Sequence, residues 1–129
     1  MTALSRTLLA AAATLLLAAT ASAADLSLSN KWRIEVSGGA RSDGNIAFRV
    51  TTKEGVSTDV TAAIKDRTGE NAVARAIRDA FKSTLDAKVY HVETDDGEDV
   101  LVKKRKGPNF EIRLVESTVK GTRVNIEKE

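Results

Sequence analysis

Apolar and polar residues alternate along most of the chain beyond residue 30, and this period of two is typical of half-buried β-strands. Trp32, Ile34 and Val36 are the first example, each separated from the next by a polar residue. The same period recurs in residues 46–50, 56–64, 89–93, 110–114 and 124–126, and residues 100–103 return from the Asp95-Asp96-Gly97 turn as a further strand. In residues 56–64 the β-branched side chains favour a strand over a helix beginning near Thr58. The pattern therefore predicts six or seven strands.

Short glycine-containing turns separate most of these strands. Gly55, Gly97 and Gly121 each follow a charged residue, and Gly107-Pro108-Asn109 makes a further break. Glycine accepts the positive φ that tight turns require. Strands joined this closely pair antiparallel, because a parallel connection needs about a dozen residues or more.

One segment departs from the period of two. Apolar residues recur there at intervals of three and four and form a single stripe: Val73, Ile77, Ala80, Phe81 and Leu85. We expect a helix whose first turn is capped by Thr68, with Glu70 near the positive end of its dipole. Because a helix with one apolar face needs a sheet to cover, the prediction is an α+β domain. Its order is βββ-α-βββ(β), with one antiparallel sheet and the helix on one face.

Residues 1–23 have the three-part layout of a secretory signal peptide. Arg6 lies in the n-region, an apolar stretch follows from Leu8 to Ala19, and Ala21-Ser22-Ala23 offers the small residues that signal peptidase accepts. The stretch is shorter than the roughly 20 residues that cross a bilayer, so an uncleaved anchor is the less favoured alternative. We expect cleavage after Ala23, a single domain over residues 24–129 that does not stay in the membrane, and a location in the periplasm or outside the cell.

Loss of the signal peptide brings the charges of the chain close to balance. The chain has 20 basic and 18 acidic residues, and Arg6 leaves with the signal, so 19 basic residues remain against 18 acidic ones. This balance gives no general reason to expect nucleic-acid binding. The chain contains no cysteine. That excludes disulfides, thiol catalysis, thiolate metal sites and the anchor of a lipoprotein.

Candidate metal and catalytic groups are sparse. His91 is the only histidine, and the alternation of its strand places it on the more polar face. One histidine without cysteine is a poor basis for a zinc site. Acidic residues are densest at Glu93 and in the Asp95–Asp99 turn, which could hold calcium, but their spacing departs from the calcium-loop pattern. We therefore predict a solvated turn, with no metal, cofactor or catalytic residue.

The strongest run of charge consists of Lys103, Lys104, Arg105 and Lys106. One hypothesis is an anion-binding patch for lipid headgroups, polysaccharide or nucleic acid. If the last strands pair, Lys120, Arg123 and Lys128 would extend it. The alternative is a solvated strand end whose lysines discourage edge-to-edge pairing of sheets. A platform for single-stranded nucleic acid would have aromatic residues interleaved with the basic ones, and this run has none.

The run from Phe48 to Leu114 resembles small modules of bacterial flagellar-filament and phage tail proteins. The similarity is one of element order and apolar spacing: strand, turn, strand, a helix containing Ala76–Phe81, a hairpin, then Gly107 and Phe110-Glu111-Ile112. The resemblance implies an interaction or assembly module rather than an enzyme.

The expected function follows mainly from the chemistry that the sequence lacks. Trp32, Phe48, Phe81 and Phe110 fall on inward positions and are assigned to the core, with Trp32 alternatively a partly exposed contact residue. We expect a non-catalytic exported domain that binds another protein. The alternatives are an anion-binding envelope protein using residues 103–106, an inhibitor or immunity protein for one enzyme, and an enzyme working with carboxylates alone. The last would need a pocket holding carboxylates of raised pKa.

Overall fold

The computed structural model describes residues 25–129, so the signal peptide predicted for residues 1–23 lies outside the described residues. The elements are β1 Lys31–Ser37, β2 Gly44–Thr52, β3 Ser57–Ile64, α1 Glu70–Thr84, β4 Tyr90–Asp95, β5 Asp99–Lys104, β6 Phe110–Ser117 and β7 Arg123–Lys128. All strand pairs are antiparallel. Over these residues the chain is therefore α+β, with seven antiparallel strands and one helix.

The strands form two sheets, so the prediction of a single sheet is wrong. One sheet has the order β4-β5-β1-β7 and the other the order β3-β2-β6. β7 pairs with β1 on the edge that β5 does not occupy. The register runs from Trp32 opposite Lys128 to Ser37 opposite Arg123. β6 instead pairs with β2. Consecutive strands β6 and β7 therefore lie in different sheets, and the turn between them is held by hydrogen bonds such as Thr118 N–H to Asn45 O, at 2.9 Å.

One apolar core joins both sheets and the helix. The inward apolar residues of β1, β2, β3, β5 and the first part of β6 are buried, Tyr90, Val124 and Ile126 are partly buried, and the four aromatic residues assigned to the core are each 5% exposed or less. The ring centroids of Phe48 on β2 and Phe81 on α1 are 5.1 Å apart. The indole Nε1 of Trp32 donates a 2.9 Å hydrogen bond to Phe110 O. This satisfies the polar atom of a buried tryptophan, as burial requires, and Trp32 belongs to the core rather than to a contact surface.

The helix begins differently from the prediction. Its N-cap is Gly69 and no side chain caps the first turn, so the assignment of Thr68 as cap is wrong. The Thr68 hydroxyl instead donates to Lys65 O, at 2.7 Å, and stabilises the preceding turn. The Glu70 carboxylate accepts a 2.7 Å hydrogen bond from Gly38 N–H. The first turn of α1 is thereby joined to the end of β1, and the apolar face of the helix contacts β1, β3, β4 and β5.

The residues before β1 lie against β6. Ser29 and Phe110 exchange two backbone hydrogen bonds, of 2.9 and 3.0 Å. Ser27 N–H donates to the Glu111 carboxylate at 2.7 Å, and the Arg113 guanidinium donates to Asp25 O at 2.9 Å. Glu111 is only 3% exposed as a result. The segment covers the first half of β6 and leaves the second half open.

Candidate binding surfaces

The outward face of the four-stranded sheet carries one row of basic residues and one row of acidic residues. The alternation that buries Trp32, Ile34 and Val36 turns the intervening residues of β1 to the outside, and the strand registers place residues of β4 and β5 beside them. Across β4, β5 and β1, the first row is His91, Lys103 and Lys31, and the second is Asp95, Asp99 and Glu35. Basic and acidic side chains are thus separated along the strands.

Arg33 lies between the two rows and binds three carboxylates. It donates to Asp95 at 3.2 Å, to Glu129 at 2.9 Å and, in the shortest of these contacts, to Asp99. The hydrogen bond from Arg33 lowers the pKa of Glu129, and the same bond is the largest cause of a raised pKa for Arg33. Asp99 is 6% exposed, and its Oδ1 has no hydrogen-bond partner within residues 25–129. The Arg33 charge is therefore what offsets a mostly buried carboxylate.

The acidic turn does not gather its carboxylates around a common point. Asp95 and Asp99 are directed to Arg33, which occupies the space between them. Within residues 25–129 no three His, Asp or Glu side chains lie close enough to hold a metal ion. The geometry of this turn accordingly adds nothing to the calcium alternative.

His91 lies on the outward face, partly buried, with both ring nitrogens in hydrogen bonds. Its Nδ1 is 2.9 Å from a guanidinium nitrogen of Arg105, and its Nε2 is 3.1 Å from a Glu93 carboxylate oxygen. An arginine can only donate, so Nδ1 accepts and Nε2 carries the proton that Glu93 receives as a hydrogen bond. That bond lowers the pKa of Glu93. His91 thus fixes the position of Arg105, and the arrangement contains no nucleophile for it to activate.

The four residues of the basic run do not all lie on one side of the sheet. Lys103 lies on the outward face, whereas Lys104 has the opposite parity and donates to Gly107 O at 2.9 Å. Arg105 returns to the outward side through its bond to His91, and Lys106 is exposed in the following turn.

The condition for extending this run with residues of the last strands is not met. β6 and β7 do not pair, and Arg123 lies opposite Ser37, at the far end of β1 from Lys31. Lys128 lies opposite Trp32, so it occupies one of the alternate positions of β7 that face the inward side of the sheet. The side chain that does join the outward basic residues is Lys31, directly opposite Lys103. It is distant in sequence, and only the β1–β5 register identifies it.

The outer side of β6 is an open strand edge. Within residues 25–129, β6 pairs with β2 on one side and, on the other, only with Ser29 at Phe110. All five residues from Arg113 to Ser117 are exposed, including Leu114 at 40% and Val115 at 49%. Because Phe110 directs its backbone groups to Ser29, the alternation of an antiparallel ladder directs those of Leu114 to the same side, away from β2.

Two cavities adjoin these surfaces: one includes His91 and Arg105, and the other includes Leu114 and Val115 of the β6 edge. One of about 180 Å³ is beside the end of α1 and one of about 260 Å³ is on the outer face of the three-stranded sheet. The first is lined by Phe81, Lys82, Leu85, Ala87, Tyr90, His91, Val92 and Arg105, with no carboxylate. The second contains one carboxylate, that of Glu111, which already accepts bonds from Ser27 and Arg113. Neither cavity is lined by more than one carboxylate, whereas the enzyme alternative, which works with carboxylates alone, needs a pair.

Comparison with known proteins assigns no family to these surfaces. No protein-family model matches the chain, and no curated protein matches it at a significant level. Within the described residues no helix is both long and apolar enough to cross a membrane.

Proposed function

We propose that this chain is an exported, non-catalytic domain that binds an extended segment of another protein along the open edge of β6. The observation that carries the proposal is the stretch Arg113–Ser117, where a strand edge and two exposed apolar side chains coincide. Natural sheets usually cover or charge such an edge. Here residues 25–29 cover only its first half, which leaves a defined length available to a partner.

An extended polypeptide is the occupant that matches this edge chemically. The N–H and C=O of Leu114 present one donor and one acceptor in the sheet plane, and another β-strand supplies the complementary pair. Alternate side chains of that strand would meet Leu114 on one face and Arg113 on the other, so a segment with apolar residues on one face is favoured. The β2–β6 register shifts after Leu114, and this bulge turns Val115 outward beside the edge.

Export is part of the proposal and rests on the N-terminal sequence. Residues 1–23 combine Arg6, the apolar stretch that begins at Leu8 and the small residues before Ala24. A secreted or periplasmic protein without disulfides depends on its core for stability, and the chain has 22 buried apolar residues over its described part. The partner is then expected outside the cytoplasm.

Capture of partners by edge variants tests the proposal. The full-length chain with a C-terminal tag is used to retain proteins from envelope and culture-medium extracts, with a high-salt wash. Leu114→Pro removes the outward N–H of β6 without touching a β2–β6 bond, because proline is tolerated where the N–H faces solvent. Thr61→Pro is the matched control, since Thr61 directs its N–H away from β2 at the other edge of the same sheet.

The proposal requires that one retained protein be lost with Leu114→Pro and kept with Thr61→Pro. Leu114→Lys serves as a second edge variant that keeps the backbone donor and alters only an exposed side chain. Equal retention by the wild type and both Leu114 variants would overturn strand addition at β6. If the retained protein is an enzyme whose activity falls on binding, the domain is an inhibitor that acts through this edge.

A further inference from the structure

The outward row of His91, Lys103 and Lys31 has a feature that sheet stability does not explain. Lys31 and Lys103 lie directly opposite each other on β1 and β5. Lys104 N–H donates a hydrogen bond to Asn30 O. Asn30 and Lys104, which lie next to Lys31 and Lys103 in the ladder, are therefore a hydrogen-bonded pair. Lys31 and Lys103 therefore form a non-hydrogen-bonded pair, in which the Cα atoms are only about 4.5 Å apart and side chains are closest. Like charges in this position destabilise a sheet.

Protection of a sheet edge does not account for these lysines either. Lysine on an edge strand prevents pairing with another sheet. In the order β4-β5-β1-β7, however, β5 and β1 are the two central strands, and neither offers an edge. Lys31 and Lys103 lie on the two central strands, where β1 begins and β5 ends.

No carboxylate forms a salt bridge with Lys31, Lys103 or Arg105 within residues 25–129. Two acids of this sheet are held by other groups: Glu93 by His91 and Glu129 by Arg33. The lysine charges act on these acids from a distance, since Lys103 and Lys31 are among the lesser causes that lower the pKa of Glu93 and of Glu129 respectively. Two exposed cations, Lys103 and Arg105, and the partly buried Lys31 thus remain available on one face to an external anion.

We propose that Lys31, Lys103 and Arg105 bind an acidic polysaccharide that lies across the four-stranded sheet. Adjacent strands are about 4.8 Å apart, so Lys103 and Lys31 present two cations one strand spacing apart, with Arg105 held nearby by His91. A polymer with one carboxylate per sugar places successive carboxylates one pyranose unit apart, which is a similar distance. This agreement in spacing is what favours this class of anion.

Other polyanions fit this face less well. Trp32 and Tyr90 have the inward parity of their strands, and Leu101, the apolar outward residue of β5, is buried at 6%. Without an exposed aromatic ring the face has no platform for the bases of a single-stranded nucleic acid. Without an exposed apolar side chain it has nothing to insert among lipids. A chain of charged sugars needs neither.

The test is binding of the full-length chain to polygalacturonate, measured by titration calorimetry at several salt concentrations. The variant Lys31→Gln/Lys103→Gln removes the opposed pair, and Lys53→Gln/Lys65→Gln makes the same change of charge elsewhere on the surface. A lysine close to an anionic surface contributes about 1 kcal/mol, so the first variant should bind at least about tenfold more weakly. The control should change affinity by less than about twofold, and fully methyl-esterified polymer should not bind.

A second measurement separates loss of the site from loss of the fold. Lys31→Gln/Lys103→Gln relieves a repulsion, so its urea midpoint should equal or exceed that of the wild type while polygalacturonate binding falls. Equal loss of binding in the two double variants would overturn the proposal. Tighter binding to oligo-dT, or to vesicles rich in phosphatidylglycerol, that requires the same two lysines would also overturn it in favour of that anion. The site is independent of the β6 edge, so either proposal can fail alone.

Discussion

Replacing Arg33 by methionine tests the account of the charged sheet face most directly. The change keeps a long aliphatic side chain and removes the cation that contacts Asp95, Asp99 and Glu129. Asp99 lies directly opposite Asp95 on β4 and Glu35 on β1. Without Arg33, three carboxylates in adjacent strands face one another, and the most buried of them has no hydrogen-bonded oxygen.

The expected loss of stability is about 3 kcal/mol. Removing one partner of a buried ion pair lowers the free energy of unfolding by about 3–5 kcal/mol. The lower end applies because the side chains of Arg33 and Asp99 are 17% and 9% exposed, so water reaches part of the network. Arg49→Met is the matched control: its partner is Asp59, and these side chains are 47% and 58% exposed. An exposed pair of this kind contributes less than about 1 kcal/mol.

Urea unfolding followed by tryptophan fluorescence measures both losses, because Trp32 is the single tryptophan and is buried. Asp99→Asn in the Arg33→Met background removes the uncompensated charge and should restore roughly half of the lost stability. A role for Arg33 in offsetting the Asp99 charge is contradicted if Arg33→Met lowers the free energy of unfolding no more than Arg49→Met does, or if Asp99→Asn restores none of it.

Acidification supplies an independent check on the same variant. The hydrogen bond from Arg33 lowers the pKa of Glu129. The stability that this contact gives the wild type is present above the ordinary pKa of a glutamate and is lost as the pH falls through the lowered value. Arg33→Met lacks that contribution at every pH. The difference in free energy of unfolding between the wild type and Arg33→Met should therefore narrow as the pH is lowered from 7 to 3. A difference that stays constant over this range would contradict the assignment.

Three further outcomes follow from the packing and the N-terminal sequence. Phe81→Ala should lower the free energy of unfolding by about 3–5 kcal/mol, since Phe81 is 0% exposed; a loss below 1 kcal/mol would show that its site collapses without cost. Gly38 and Gly107 both have positive φ, but a Cβ at Gly38 meets Gly121 O, whereas at Gly107 nothing lies within 4 Å. Urea unfolding should therefore show Gly107→Ala costing about 1 kcal/mol and Gly38→Ala at least twice that, and equal losses would argue against the close approach. Mass spectrometry of the exported protein should give a chain beginning at Ala24, and an intact N-terminus would contradict cleavage.

The period of two identified the strands and their buried faces, because alternation records which side of each strand meets the core. Val60, Val102 and Ile112 are buried as the pattern predicts. Val56 shows the limit of the method: it shares the parity of Val60 but is 64% exposed. β3 begins only at Ser57, so Val56 belongs to the turn. Parity assigns a face to a residue and does not mark where the strand starts.

Alternation also carries no information about which strands pair. The short turn after β6 favoured a hairpin with β7, and a single sheet followed from that assumption. The structure gives β7 to β1 and β6 to β2. The deciding contacts join distant residues, such as Ile34 with Ile126 and Val50 with Ile112. Local turn chemistry cannot report these, because the apolar faces of all the strands are equivalent at the level of pattern.

The charged residues show the same limit with a functional consequence. Four consecutive basic residues look like one patch, yet a strand sends Lys103 and Lys104 to opposite sides, and the second binds Gly107 O. The charge that reinforces Lys103 comes instead from Lys31, 72 positions away by their numbers, through the β1–β5 register. Opposed lysines on central strands carry a cost in stability that an external anion would remove. The register, rather than the run of charge, is therefore the reason to seek an anionic ligand on this face.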